Sequence, residues 1–134
     1  MAGEMIGLLL AALQLQAAVV PPPPAPSPLA NTEWTIVAIG QEAVSGPQYA
    51  LRIGSGEISG RFGCNNFTAP FTAAGDVLTV GAARSTRMAC APAVMTREQR
   101  AFAILAGAVR SSRPDATTLV LTGEEGAIRL RRAQ

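Results

Sequence analysis

Two cysteines, Cys64 and Cys90, are the residues of this chain with the widest choice of chemistry. A cysteine can act as a nucleophile, as a metal ligand or as half of a disulfide. Cys64 stands in the run GRFGCNNF, between a glycine and two asparagines, and Cys90 stands in the run MACAP. The 134-residue sequence contains no histidine, so neither thiol can have an imidazole base beside it.

The absence of histidine and lysine excludes most common catalytic and metal sites. The chain cannot form a Ser–His–Asp or Cys–His arrangement, a Schiff-base lysine or an imidazole metal site. Two thiols without a CxxC pair also fall short of the four ligands of a structural zinc site. An enzyme would need an arginine such as Arg61 or Arg87 to activate a thiol, or a carboxylate pair such as Glu57 and Asp76 to converge. We therefore predict no catalytic residue, no metal and no cofactor.

The first 30 residues are predicted to be a targeting signal followed by a linker, and not part of the folded domain. An apolar run over residues 5–20 is short for a spanning helix, and residues 1–18 are predicted to be a signal peptide. Residues 19–30 are predicted to be a proline-rich linker, because PPPPAPSP favours an extended polyproline II conformation. The folded domain is then residues 31–134. We expect a periplasmic or secreted protein; an uncleaved N-terminal anchor and a cytoplasmic location are the alternatives.

Export would place both cysteines in an oxidising compartment, where disulfides form. They are the only cysteines of the sequence, and each lies at the end of a predicted element, where a strand and the start of a helix could meet. We therefore favour a disulfide between Cys64 and Cys90. Two separate buried thiols are the alternative.

The charge of the chain does not indicate binding to nucleic acid. All 11 basic residues are arginines, 9 residues are acidic, and the net charge is only +2. Arg129, Arg131 and Arg132 lie close together, and we predict that they form the outward face of a last strand rather than a phosphate site.

Short stretches of alternating or β-branched residues predict about seven antiparallel strands. Tyr49, Leu51 and Ile53 alternate with smaller or polar residues, and turn residues at 54–56, 74–76 and 123–126 join neighbouring strands. The predicted fold is α+β and β-rich, with a curled antiparallel sheet or small barrel and one helix packed against it. Pro70 indicates that its strand is bulged or lies at an edge.

The run PAVMTREQRAFAILAGAV, residues Pro92–Val109, predicts the one helix. Its apolar residues recur at helical spacing, and proline suits the first helical turn. Glu98 of this helix is predicted to pair with an arginine such as Arg61, Arg87 or Arg110.

Asn65 and Asn66 suit a turn in which their side chains bond nearby backbone groups; the alternative is that Asn65 offers its amide to a ligand. Gln41–Pro47 and Arg110–Ala116 are predicted to be exposed loops. Loops on a rigid scaffold often contact other proteins, so these two are the candidate docking segments.

Two longer motifs and their spacing are the most specific features of the sequence. SGRFGCNNFTAPF is followed by STRMACAPAVMTREQRAFAIL, after a tryptophan that opens the first strand and before a closing hairpin. Together they resemble the META/HslJ family of small bacterial envelope domains, over roughly Asn31 to Arg132. The residues that carry this resemblance are Trp34, Gly63, Cys64, Asn65, Phe67, Thr86, Met88, Ala89, Cys90, Glu98 and Phe102.

The resemblance implies a compact β-rich fold with one helix, usually exported, and a link to heat or antibiotic stress. It implies no reaction, because the family has no established catalytic residues. The predicted function is that of a non-catalytic envelope domain, monomeric, that binds an unknown envelope protein or a small apolar ligand. The alternative is an inhibitor or an assembly factor, similar to the pilot proteins of secretion systems, that docks through its loops.

Overall fold

The structure is a computed structural model, and it describes residues 3, 12–13, 18–20 and 27–134. The predicted signal peptide and the proline-rich run therefore lie largely outside the described residues. Within the described residues, no helix is both long enough and apolar enough to cross a membrane.

Strands dominate the described part of the chain, and one helix accompanies them. The elements are β1 Thr32–Ile39, β2 Glu42–Ala43, β3 Tyr49–Ile53, β4 Glu57–Phe62, β5 Asn66–Ala74, β6 Val77–Val80, β7 Arg84–Ser85, α1 Pro92–Leu105, β8 Gly107–Asp115, β9 Thr118–Gly123 and β10 Gly126–Arg132.

Eight of these strands close into an antiparallel barrel. Their order is β10–β9–β8–β6–β5–β4–β3–β1, and β10 pairs with β1 to complete the ring. Two short strands add to it, since β2 pairs with β1 and β7 pairs with β5. The predicted β-rich fold with one helix is confirmed, with ten strands in the described residues rather than about seven.

Alternation along the strands produces the barrel core. In β3, Tyr49, Leu51 and Ile53 are buried as predicted, whereas Arg52 is exposed. The other buried residues are mostly aliphatic, which suits a sequence that is only 4% aromatic.

A group of three aromatic rings joins the helix to the barrel. The rings of Phe62 and Phe67 stack with 4.7 Å between their centroids. Phe102 of α1 meets both rings edge-on, at 5.3 and 5.1 Å. Such aromatic contacts stabilise a core beyond the area that they bury, so this group helps to hold α1 on the barrel.

Helix α1 covers one end of the barrel. Ile104 lies over Gly123 and Gly126, where β9 turns into β10. A side chain at position 123 would collide with the carbonyl oxygen of Ile104, so only glycine allows this close approach.

The helix ends at Leu105, and the prediction that it continues to Val109 is wrong. Ala106 is already extended, and Gly107 has a φ of 76°, a conformation that favours glycine. Val109 is buried in β8, opposite Leu78 of β6. Its apolar side chain belongs to the barrel core, which local spacing alone cannot distinguish from a helix face.

The prediction of a loop over Arg110–Ala116 is also wrong, because β8 continues to Asp115. The ladder between β8 and β9 shifts its register between Ser112 and Asp115. This irregularity accommodates Pro114, which has no N–H to donate to the ladder. The polar residues and the proline of this segment suggest a loop, but pairing with β6 and β9 makes it a strand.

Pro70 lies in β5 at a local edge, one of the two predicted arrangements. The register between β4 and β5 runs without a bulge up to its last pair, Pro70 with Glu57. On the other side of β5, the pairing with β6 begins after Pro70 and the pairing with β7 ends before it. The Gly81 N–H donates to the Pro70 carbonyl at 2.8 Å. The missing donor of proline is tolerated because no ladder bond is needed from it there.

The barrel end opposite α1 is closed by Leu29 and Trp34, which are 2% and 1% exposed. The hydroxyl of Thr32 donates to the Leu29 carbonyl and accepts from Trp34 Nε1. Leu29, in the segment predicted as linker, is therefore part of the core. Arg129 and Arg131 point outward as predicted, but Arg132 pairs across the sheet with Trp34 and stands over its ring.

Candidate functional site

The two cysteines form a disulfide, as predicted from the sequence, and the alternative of two separate thiols is wrong. Cys64 lies between β4 and β5, and Cys90 lies two residues before α1, with 6.1 Å between their Cα atoms. Cys64 is fully buried. The bond therefore ties the segment that precedes the helix to the barrel.

Gly63 places Cys64 in the turn after β4. It has a φ of 103°, and its N–H donates to the Gln48 carbonyl at 2.9 Å. A Cβ at this position would lie only 2.8 Å from the hydroxyl oxygen of Tyr49. Both its conformation and its contacts explain why the motif has glycine here.

Asn65 and Glu98 form the polar centre of the site. They are 4% and 5% exposed, although they are 33 residues apart in the sequence. The Asn65 backbone N–H donates to one carboxylate oxygen of Glu98 at 2.7 Å, and the Asn65 amide donates to the other at 2.7 Å. Both oxygens of the buried carboxylate are therefore satisfied by a single residue.

The amide oxygen of Asn65 holds a second segment. It accepts from the Met88 backbone N–H at 2.7 Å and from the Thr86 hydroxyl at 2.9 Å. The Thr86 backbone N–H also donates to the Asn66 carbonyl at 3.0 Å, and the Thr86 hydroxyl accepts from the Asn66 backbone N–H at 3.1 Å. These bonds and the disulfide fix the mostly exposed segment Gly81–Ala91, which we call the strap.

Two sequence predictions about these residues are wrong in their partners. The side chain of Asn65 bonds the strap and α1, more than 20 residues away, rather than a local turn. Glu98 pairs with Asn65 and not with an arginine; Arg61 donates to the Cys64 carbonyl, and Arg110 pairs with Asp76. A carboxylate that accepts two short hydrogen bonds needs no cation to be satisfied.

The cluster of Cys64, Asn65, Glu98 and Cys90, which we call the knot, is suited to joining segments. Its sulfurs are bonded to each other, and its carboxylate oxygens accept hydrogen bonds from the protein itself. Among the described residues, no group of three or more His, Cys, Asp or Glu side chains could hold a metal ion.

Beside the knot lies an apolar groove of about 310 Å³, between the strap and the C-terminal half of α1. Phe102 and Leu105 of the helix form one part of its surface, and Ala69 of β5 forms another. Strand β7 belongs to the strap and pairs with β5 on one edge only within the described residues. The lining residues are Ala69, Val80, Gly81, Ala82, Ala83, Ser85, Phe102, Leu105 and Ala106.

Comparison with known protein families identifies the family of this chain. The model of the META domain matches residues 27–134. The chain belongs to the META domain family. The resemblance seen in the sequence is thereby confirmed.

Two NMR structures are similar to this META domain. One is 19% identical, covers 81% of this chain and 95% of its own, and has a TM-score of 0.67. The other, of a protein from Burkholderia xenovorans, is 20% identical, covers 88% of this chain and 94% of its own, and has a TM-score of 0.62. At these identities the likeness concerns the fold alone. No curated protein matches this chain.

The motif residues of the META domain do not all lie at one site. The knot, Thr86 and Met88 are together, and Phe67 and Phe102 pack directly beneath the strap. Trp34 lies at the other end of the barrel, and Ala89 is an exposed residue of the strap.

A second polar cluster, around Arg97 of α1, is not predicted from the sequence. Arg97 of α1 donates to the Tyr49 hydroxyl at 2.6 Å and to Glu42 of β2 at 2.9 Å. The hydrogen bond from Arg97 lowers the pKa of the Glu42 carboxyl, and the bonds to Glu42 and Tyr49 raise the pKa of Arg97. Tyr49 and Glu42 precede Arg97 by 48 and 55 residues in the sequence, and no local pattern indicates these contacts.

Proposed function

We propose that this META domain is an exported, non-catalytic binding domain whose groove takes an extended apolar segment of a partner protein. The observation that carries the proposal is an apolar groove flanked by β7, a strand with one edge unpaired among the described residues. A site of this kind offers backbone hydrogen bonds to an added strand and a pocket for its side chains.

The lining of the groove favours apolar side chains. Its lining includes the apolar side chains of Phe102, Leu105 and Val80, and Ser85 supplies the one side-chain hydroxyl among the lining residues. Its volume of about 310 Å³ stands at the lower limit of pockets that hold drug-sized molecules, which begin at roughly 300 Å³. The groove therefore suits one or two side chains of a peptide better than a larger free ligand.

The strap offers the backbone that such a partner would need. Residues Gly81–Ala89 are all exposed, and Met88 has 43% of its surface exposed. Exposed strand edges are sites where another chain can add, and native proteins usually cover or blunt them. A partner strand beside β7 would cover this edge and place its side chains over Phe102.

Two further observations support export and a role in binding without catalysis. The disulfide is typical of proteins that leave the reducing cytoplasm. The knot engages its own sulfurs and carboxylate, so it supports a scaffold rather than a reaction. We add, from the resemblance alone, that the partner is engaged under heat or antibiotic stress. Docking through Arg110–Ala116 is not favoured, because most of this segment is paired in β8.

Replacing Ala83 by tryptophan is expected to fill the groove and to weaken peptide binding by about tenfold or more. Ala83 lines the groove and is exposed, so the larger side chain enters the site without disturbing the core. Peptides selected from a displayed random library against the oxidised full chain would be measured by fluorescence anisotropy. The matched control is Ala89→Trp, an exposed alanine of the same strap that does not line the groove.

The selected peptides should carry apolar residues at alternate positions, and N-methylation of alternate amides should abolish their binding if they add as a strand. Binding that survives in Ala83→Trp, or falls equally in Ala89→Trp, would contradict the proposed site. Binding of an apolar dye without any enriched peptide would show that the occupant is a small molecule and not a polypeptide.

A further inference from the structure

Three arginines at the barrel end opposite α1 have no carboxylate partner among the described residues: Arg113, Arg131 and Arg132. We call them the arginine end. The described ion pairs use other arginines, namely Arg52, Arg97, Arg100 and Arg110.

Two of these guanidinium groups converge on one indole ring. Arg113 lies 5.5 Å and Arg132 lies 5.8 Å from the centre of the Trp34 ring. Trp34 is only 1% exposed, so the two arginines stand between the ring and solvent. Each contact is a cation–π interaction, but two like charges beside one ring repel each other. Phosphate groups bound at these arginines would offset this repulsion and accept N–H bonds from the guanidinium groups, one of whose donors, on Arg113, is already bonded to the Ala116 carbonyl.

The carboxylates at this end are already engaged or distant. Asp115 accepts hydrogen bonds from Thr117 and Thr118 at 2.9 to 3.0 Å, and these bonds lower its pKa. Two other acidic residues there form ion pairs, Glu33 with Arg52 and Asp76 with Arg110. Glu57 begins β4, and the strands β1 and β3 separate it from β10. The hydrogen bonds to Asp115 leave it ionised, but it is one carboxylate against three arginines without an ion-pair partner, so positive charge is in excess at the arginine end.

The charge also changes sign along one hairpin. Glu124 and Glu125 are exposed in the turn between β9 and β10, beside α1, whereas the arginines lie at the far end of the same strands. An anionic surface would therefore attract one end of the barrel and repel the other, which fixes an orientation.

The chain enters the barrel at the arginine end. Residues 27–31 lead into β1 there, and the Leu29 carbonyl is bonded to Thr32, which also bonds Trp34. In the sequence, a proline-rich run and an apolar run precede residue 27. Any tether made by these residues would hold this end of the domain nearest to a membrane.

We propose that the arginine end docks on the anionic phospholipid headgroups of a bilayer, with α1 and the groove facing away from it. Each basic residue near such a surface contributes about fivefold to binding. The docking is independent of peptide binding in the groove, so either can fail without the other.

The test compares the full chain with Arg113→Gln/Arg131→Gln/Arg132→Gln on two kinds of vesicle. We expect the wild-type chain to prefer phosphatidylglycerol over phosphatidylcholine in co-sedimentation, and the triple variant to lose roughly 100-fold of its binding to phosphatidylglycerol. The apolar N-terminal run is the same in both proteins, so any membrane binding by this run contributes equally to both measurements. The matched control is Arg84→Gln/Arg87→Gln/Arg100→Gln, which removes the same charge from exposed arginines of the strap and α1, away from the arginine end.

Trp34 reports the orientation, because it is the only tryptophan of the chain. Brominated phosphatidylglycerol should quench its fluorescence in the wild-type chain, since the proposed docking brings this end of the barrel to the lipid. Equal binding to both lipids, or an equal loss in the control variant, would overturn the proposal. Binding without quenching of Trp34 would overturn it too, because another face would then contact the bilayer.

Discussion

Replacing Asn65 by alanine is expected to lower the free energy of unfolding by about 4 kcal/mol, the largest effect predicted for a single substitution. The change removes one hydrogen bond to the Glu98 carboxylate, worth about 2 kcal/mol, and two neutral bonds to Thr86 and Met88, worth about 1 kcal/mol each. The measurement is urea unfolding followed by Trp34 fluorescence. Domains of this kind are stable by about 5–15 kcal/mol, so the variant would still fold but with little reserve.

The matched control is Asn66→Ala, the next residue of the same motif. Asn66 is exposed, and its bonds to Thr86 are made by its backbone, which alanine keeps. We expect a change below about 1 kcal/mol for the control. If the two alanine variants were equally stable, the polar centre assigned to Asn65 would be wrong.

Removal of the disulfide is expected to cost about 3.5 kcal/mol. Cys64 and Cys90 are 26 residues apart, and closing a loop of that size restricts the unfolded chain by this amount in the chain-entropy model. The variant Cys64→Ala/Cys90→Ala would be compared with the oxidised wild-type protein in urea, with and without a reductant. Alanine is chosen because Cys64 is fully buried, where a serine hydroxyl would need a partner.

The reductant supplies the control for the disulfide. It should destabilise the wild-type protein to near the level of the double variant and leave the double variant unchanged. A loss below about 1 kcal/mol would mean that the hydrogen bonds of Asn65 hold the strap without the covalent bond.

Much of the barrel is predictable because its strands follow local rules. Tyr49–Ile53 alternates between buried and less buried residues, and it is a strand with those bounds in the structure. The helix start is equally local, since Pro92 suits the first turn and α1 begins there. Wherever one residue and its near neighbours determine the conformation, the sequence is sufficient.

The errors concern features that distant contacts decide. Val109 has helical spacing from Leu105, but it is buried in β8 because β6 offers it a partner. Glu98 looks like a surface carboxylate that would pair with an arginine. Its true partner is Asn65, which the fold brings from 33 residues away. The groove depends on the same kind of contact, because the strap that lines it has no regular pattern of its own.

The proposed groove requires the knot to hold the strap in place, and hydrogen exchange of the amides of Gly81–Ala91 measures this directly. In the oxidised wild-type protein we expect protection at Thr86 and Met88, whose N–H groups are bonded to Asn66 and Asn65. In Asn65→Ala, this protection should be lost while the amides of β9 remain protected. Strap amides that exchange at the same rate in both proteins would contradict the role of the knot in holding the strap.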